Sequence, residues 1–282
     1  MNDYKITILE YAVKPGFSNA LIFSGYYGDG ETTDLTYTIL AIEGPDGVIL
    51  VDTGYDDNEE NKKLEQGLGM IGYQNPIKVL KKIGIRPEDV KHVILTHAHW
   101  DHMGGVCLFP NATFYLQEEE LTGWIRTLCL PKEYDTLKVS MSYSSIRDLV
   151  SLIEEKRLVL LDGDVDNLFP GIHIRAARMG HSICSSIVLI DCNGTRYVAA
   201  GDCAYVKDNI IGGRRDGESM PNGFGIGSIF NAIQSMQDIL EYADGKLENV
   251  IVGHDPSAWT QYESVQTEDG LHIAFVEQGK KE

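Results

Sequence analysis

At 282 residues, 43% hydrophobic and 23% charged, the chain is long enough for a sizeable core and reads as one globular domain over 1–282. Its 42 acidic residues against 24 basic ones leave a formal charge of −18. That charge repels phosphate backbones and anionic lipid, which argues against nucleic acid as a partner, and no apolar run approaches the ~18 residues of a membrane span.

Residues 1–10 carry Asp3, Lys5 and Glu10 and alternate like a strand rather than a signal peptide, so the expected location is the cytoplasm. The five cysteines, Cys107, Cys129, Cys184, Cys192 and Cys203, form no CxxC pair. They are expected as free, buried thiols in a reducing compartment.

A first strand is expected at 4–11. The segment 15–34 is rich in Gly, Tyr and Ser and too irregular for an element; its Phe17, Leu21, Ile22, Phe23, Tyr26 and Tyr27 either cover the surface or wall an apolar pocket. Strands at 36–42 and 48–51 flank Gly44-Pro45-Asp46-Gly47, a hairpin turn signal. Asp52 then closes the second strand, where it either caps a turn or orients a metal-bound imidazole. Helices follow at 58–68 and from Pro76, which suits a first helical turn.

The run Val93-Ile94-Leu95 reads as a buried strand, and behind it come His97, His99, Asp101 and His102 within six residues, then two glycines. Three imidazoles and a carboxylate are a ligand set for Zn²⁺ and similar divalent ions. A loop that coils past the strand end would let all four converge. Beyond it a strand is expected at 112–116, a helix from Glu118, a mostly helical stretch at 129–157, and strands at 158–161, 172–176, 187–191 and 197–200. A helix at 229–243 capped by Ser228 and strands at 250–252 and 271–276 complete the order, which suggests two sheets packed face to face with helices outside. His181, Asp202 and His254 each lie at a further strand end, and seven ligands in all suit two ions rather than one.

Thr96-His97-Ala98-His99-Trp100-Asp101-His102, with His181, Asp202 and His254 further on, resembles the metallo-β-lactamase superfamily over 36–254. The resemblance implies an α/β (α+β) fold, an αββα sandwich of two mixed β-sheets flanked by helices, with the site on one edge. It implies that His97, His99 and His181 bind one divalent ion, that Asp101, His102 and His254 bind another, and that Asp202 bridges them, with Asp52 behind them and zinc as the expected metal.

Within the superfamily, Gly201-Asp202-Cys203-Ala204-Tyr205 and Gly253-His254-Asp255 are similar to the N-acyl-homoserine lactonases. There the tyrosine faces the substrate carbonyl, so Tyr205 is the expected donor to the oxyanion and Asp101 the expected proton carrier to the leaving alkoxide. The implied substrate is an acyl-homoserine lactone or another small lactone. The alternatives are a thioesterase or cyclic-amide hydrolase of the hydroxyacylglutathione hydrolase kind and, from another class, an iron redox or sensor protein. Two stretches depart from the lactonase pattern, Arg178-Met179-Gly180-His181-Ser182 and the long insertion 211–227. Both are expected to border the pocket; Arg214 and Arg215 in the insertion are expected to be solvated, and a homodimer is left open.

Overall fold

Side chains alternate across a strand, so a strand with apolar residues at every position is covered on both faces. The centre of Cys184–Cys192 is such a run, Ile187-Val188-Leu189-Ile190: Val188 and Ile190 belong to one core cluster, Ile187 and Leu189 to another. The computed structural model describes residues 2–279 apart from Tyr27, Asp29 and Asp46. Tyr27 of the aromatic segment and Asp46 of the expected hairpin turn therefore lie outside the described residues.

In chain order the strands are β1 (Lys5–Ser18), β2 (Thr32–Gly44), β3 (Gly47–Val51), β4 (Val90–Ile94), β5 (Thr113–Gln117), β6 (Leu158–Leu161), β7 (Val165–Phe169), β8 (Ile172–Arg178), β9 (Cys184–Cys192), β10 (Thr195–Ala199), β11 (Val250–Ile251), β12 (Glu263–Gln266) and β13 (His272–Gln278). One sheet runs β12-β13-β1-β2-β3-β4-β5-β6 and the other β11-β10-β9-β8-β7. Both are mixed: β3 to β6 pair in parallel within the first, and β10 with β11 in the second.

Ile6, Ile8, Ile42 and Ile49 of the first sheet meet Ile172, Ile174, Val188 and Ile190 of the second between the sheets. The outer face of the first sheet packs on helices Pro76–Lys81, Glu118–Leu128 and Tyr143–Ser151 through Leu80, Trp124 and Leu149. The outer face of the second packs on Ile229–Tyr242 through Met236 and Ile239. Each fully buried Ile, Leu or Val contributes about 1.5–3 kcal/mol. The αββα sandwich is thus borne out.

Three expectations need correction. The segment 15–34 is not wholly irregular. β1 continues to Ser18 because Phe17 and Ser18 pair with Thr33 and Thr32, the ladder slipping between Lys14 and Phe17, where Pro15 has no N–H to give and Gly16 adopts φ +59°. A short helix, Asn19–Ile22, then leads towards β2. The stretch 129–157 holds one α-helix, Tyr143–Ser151, after a 3₁₀ turn at Lys132–Lys138. The five cysteines are free, but Cys107 and Cys129 are exposed rather than buried. Two sheet-edge strands, β7 and β12, carry few buried residues and left no apolar alternation to read. No helix among the described residues is long and apolar enough to cross a membrane.

Candidate metal centre

The strand ends converge on one edge of the sandwich. Past β4 the chain turns into a four-residue helix, Trp100–Met103, with His99 at its N-cap, so Asp101 and His102 leave the line of the strand. Asp52 follows β3, His181 lies between β8 and β9, Asp202 follows β10 and His254 follows β11. The backbone N–H of Ser186 in β9 donates to the Thr96 carbonyl at 2.7 Å, tying the two sheets together beside the cluster.

All seven expected ligands come together. The potential ligand atoms of His97, His99, His181 and Asp202 form one group within 4.8 Å of one another, and those of Asp101, His102 and His254 form a second. Asp202 faces both. Its Oδ1 lies 3.1 Å from His102 Nε2 and 3.2 Å from His254 Nε2, and its Oδ2 lies 3.4 Å from His181 Nε2 and 3.8 Å from His97 Nε2. Nε2 of His97 and of His99 is buried without a hydrogen bond, a cost of about 1–3 kcal/mol each unless something coordinates them. Unpartnered imidazole nitrogens around a carboxylate are the donor set that two divalent cations fit.

The rings are aimed from behind. His102 Nδ1 donates to Asp52 Oδ2 at 2.7 Å and His254 Nδ1 to the Thr36 carbonyl at 2.8 Å, which turns both Nε2 atoms inward. Asp52 also accepts from the Thr96 N–H (2.7 Å) and hydroxyl (2.8 Å). That net of bonds holds it at φ +64°, a strained backbone for a non-glycine residue. Because the Thr96 hydroxyl gives its hydrogen to Asp52, it accepts from His97 Nδ1 at 3.0 Å.

Glu120 does a similar task on the other side. It is wholly buried and accepts from the Ala98 N–H (2.8 Å), Trp124 Nε1 (2.8 Å), the Ser182 hydroxyl (2.5 Å) and the Cys184 N–H (2.7 Å). One carboxylate thus staples the loop of His97 and His99 to the loop of His181.

Charge divides the two groups. Burial lowers the pKa of His97 and His99 well below the usual imidazole range and that of His181 to about 4. Burial opposes the proton on His102 and His254 as well, but Asp202 and Asp101, joined by Asp52 at His102, outweigh it and raise both. Burial raises Tyr37 and Tyr205, helped by the Asp101 and Asp202 carboxylates, so both stay neutral phenols.

Above the cluster lies a cavity of about 240 Å³ with His99, Asp101, Asp202, Tyr205 and His254 on its floor and Phe17, Leu35, Leu68 and Phe224 on its walls. The segment 211–227 borders it as expected, through Phe224, and Phe17 decides the open reading of 15–34 in favour of a pocket wall, whereas no residue of 178–182 lines it. The Gly223 N–H donates to the Leu21 carbonyl, the Ile226 N–H to the His181 carbonyl, and Asn222 Nδ2 to the Asp202 carbonyl at 2.6 Å. Phe17 and Phe224 meet at 6.0 Å between ring centroids. Arg214 and Arg215 do not line this cavity.

Tyr205 is present, with its ring 5.5 Å from His181 and 5.4 Å from His254. Its hydroxyl, however, donates to the Gly223 carbonyl at 2.8 Å. The expected donation to a substrate carbonyl therefore requires that bond to be exchanged. Sequence reading missed Glu120, Asn222 and Tyr37. Glu120 follows two exposed glutamates in the first turn of its helix, where acidic residues are ordinary complements to the helix dipole.

The metallo-beta-lactamase superfamily model matches residues 32–276. The chain belongs to the metallo-beta-lactamase superfamily. It is 28% identical over 200 residues to the N-acyl homoserine lactonase AttM of Agrobacterium fabrum, covering 67% of each chain. It is 24% identical over 254 residues to AttM of Rhizobium johnstonii, covering 83% of this chain and 88% of that one. Among solved structures it is similar to a B. thuringiensis AiiA mutant with N-decanoyl-L-homoserine bound (TM-score 0.66, 21% identity, 91% of this chain and 95% of that one). It is also similar to AidC, a dizinc quorum-quenching lactonase (TM-score 0.67, 18% identity, 99% and 96%). At these identities the two structures establish the fold.

Proposed function

We propose that this superfamily member is a two-metal hydrolase that opens lactone rings, with N-acyl-homoserine lactones as its leading substrates and quorum quenching as its role. His97, His99 and His181 would hold one ion and Asp101, His102 and His254 the other, with one oxygen of Asp202 towards each; zinc suits this nitrogen- and oxygen-rich set. Two such ions supply Lewis acidity and a water whose pKa falls from ~15.7 towards ~7.

The residues of the chain do the rest. Asp101, on the cavity floor, carries a proton to the departing ring oxygen. Tyr205 gives up its Gly223 partner to donate to the carbonyl oxygen, where negative charge grows. The apolar walls shed water and take the acyl chain. The observation that carries the reading is this juxtaposition: an apolar cavity ending on a buried His/Asp cluster with unpartnered ligand atoms.

The AttM relatives are named lactonases, which favours ester-ring opening over the thioesterase and cyclic-amide alternatives. The charge of −18 disfavours nucleic acid, the five free cysteines suit the cytoplasm, and a homodimer is compatible with the reading. The test is a panel of lactones of varied ring size and acyl length, followed by proton release on the zinc-loaded protein. Acyl-homoserine lactones should open fastest. Hydrolysis of thioesters or cyclic amides with no lactone opened would overturn the reading.

A further inference from the structure

Two phenol rings pack against His254: Tyr205, and Tyr37, whose ring centroid lies 4.5 Å from that of the imidazole at an interplanar angle of 66°. Both line the cavity and both are nearly buried. Their hydroxyls are in different states. A phenol has one hydrogen to give, and a backbone carbonyl can only accept. The 2.8 Å contact with Gly223 therefore commits the hydrogen of Tyr205 to the 211–227 segment. A third phenol close by, Tyr11, gives its hydrogen to the Asp101 carbonyl at 2.7 Å. The hydroxyl of Tyr37 has no hydrogen-bond partner among the described residues, and it is not sealed within the core.

Tyr37 is also well fixed. It sits in β2 opposite Ala12 of β1, and its neighbours Thr36 and Thr38 bond to the His254 ring and the Gly253 carbonyl. A rigid strand therefore places a phenol with an uncommitted hydrogen in the largely apolar cavity that Asp101, the proton carrier, also lines. A donor left open there loses its water when a substrate enters, unless the substrate brings an acceptor.

We propose that Tyr37 donates a hydrogen bond to the ring oxygen of the lactone, strengthening as that oxygen takes the electron pair of the breaking acyl C–O bond. This rests on the lactone-opening reading. Tyr37 keeps its proton throughout; the proton that ends on the oxygen comes by way of Asp101. The bond gains most in the transition state, so its loss acts on kcat more than on KM.

The test compares zinc-loaded wild type with Tyr37→Phe on an acyl-homoserine lactone and on the matching thiolactone, with metal content and melting temperature measured on the same samples. Tyr37→Phe should lower kcat on the lactone about 10- to 100-fold, less than the ~10²–10³ typical of a lone oxyanion donor because Asp101 shares the oxygen. KM should stay within about twofold, both ions should remain, and melting should not move, since no hydrogen bond of the fold is lost. On the thiolactone, whose departing sulfur is a weak acceptor, the penalty should largely vanish. A variant as fast as wild type, or equally slowed on both substrates, overturns the proposal. So does loss of metal or a lowered melting temperature, which would make Tyr37 a residue of the fold. If wild type itself opens no lactone, the functional reading fails first, and that failure is seen before any variant is made.

Discussion

The two halves of the centre are built by opposite electrostatics. His97, His99 and His181 are dry imidazoles with lowered pKa values, and Glu120 anchors their loops through backbone and side-chain donors rather than through the rings. His102 and His254 are pulled the other way by Asp202 and Asp101, and Asp52 bonds directly to the His102 ring. Burial thus favours the neutral, cation-binding form in the first trio, whereas the carboxylates around His102 and His254 favour the protonated imidazole, with which a cation must compete. Asp202 joins them, one oxygen to each side.

Removing that joint should have the largest effect. Asp202→Ala is expected to drop the protein below one tightly held ion per chain and to abolish turnover, as metal analysis and a lactone assay would record. Two full ions in the variant would mean that the trios are independent.

Next come the anchors, which should act locally. Asp52→Ala should weaken cobalt binding at the second trio by about 10–100-fold, and Glu120→Gln should do the same at the first. Gln is the right size but sets an N–H₂ against one of the four donors that the carboxylate accepts from. Cobalt titration followed by visible absorption should show one of two binding steps shifted in each variant. Equal shifts of both steps in either variant would erase the distinction between the trios.

The smallest effect is on the pH profile of the metal-free protein. Three imidazoles whose pKa is lowered in the fold bind protons more readily once unfolded, so their contribution is lost as pH falls below 6.5, for His181 down to about 4. Two imidazoles whose pKa is raised stabilise fully below 6.5, and that contribution is lost as pH rises through their folded values. The melting temperature should therefore peak near the ordinary histidine pKa and fall by a few degrees on either side. A steady rise with pH across that range would contradict the charge difference.

The site was more legible than its supports. Four ligand-type side chains in six residues mark His97 to His102 without any knowledge of the fold, and His181, Asp202 and His254 stand out because each follows or precedes an apolar run. Glu120 looks no different from Glu118 and Glu119, since its burial depends on helix Glu118–Leu128 packing with that face inward. Tyr37 reads as one more β-former in an apolar strand. Asn222 lies in an insertion with no periodicity, and only the fold of that segment brings it to the Asp202 carbonyl. The same reasoning separates the strands: those of the buried centre announced themselves, and the exposed edges β7 and β12 did not.

The most direct test adds zinc stepwise to metal-free protein while the opening of an acyl-homoserine lactone is followed. The account predicts almost no turnover through the first equivalent per chain and a steep rise through the second, with no gain beyond two. Full activity at one equivalent, or none at two, would contradict it.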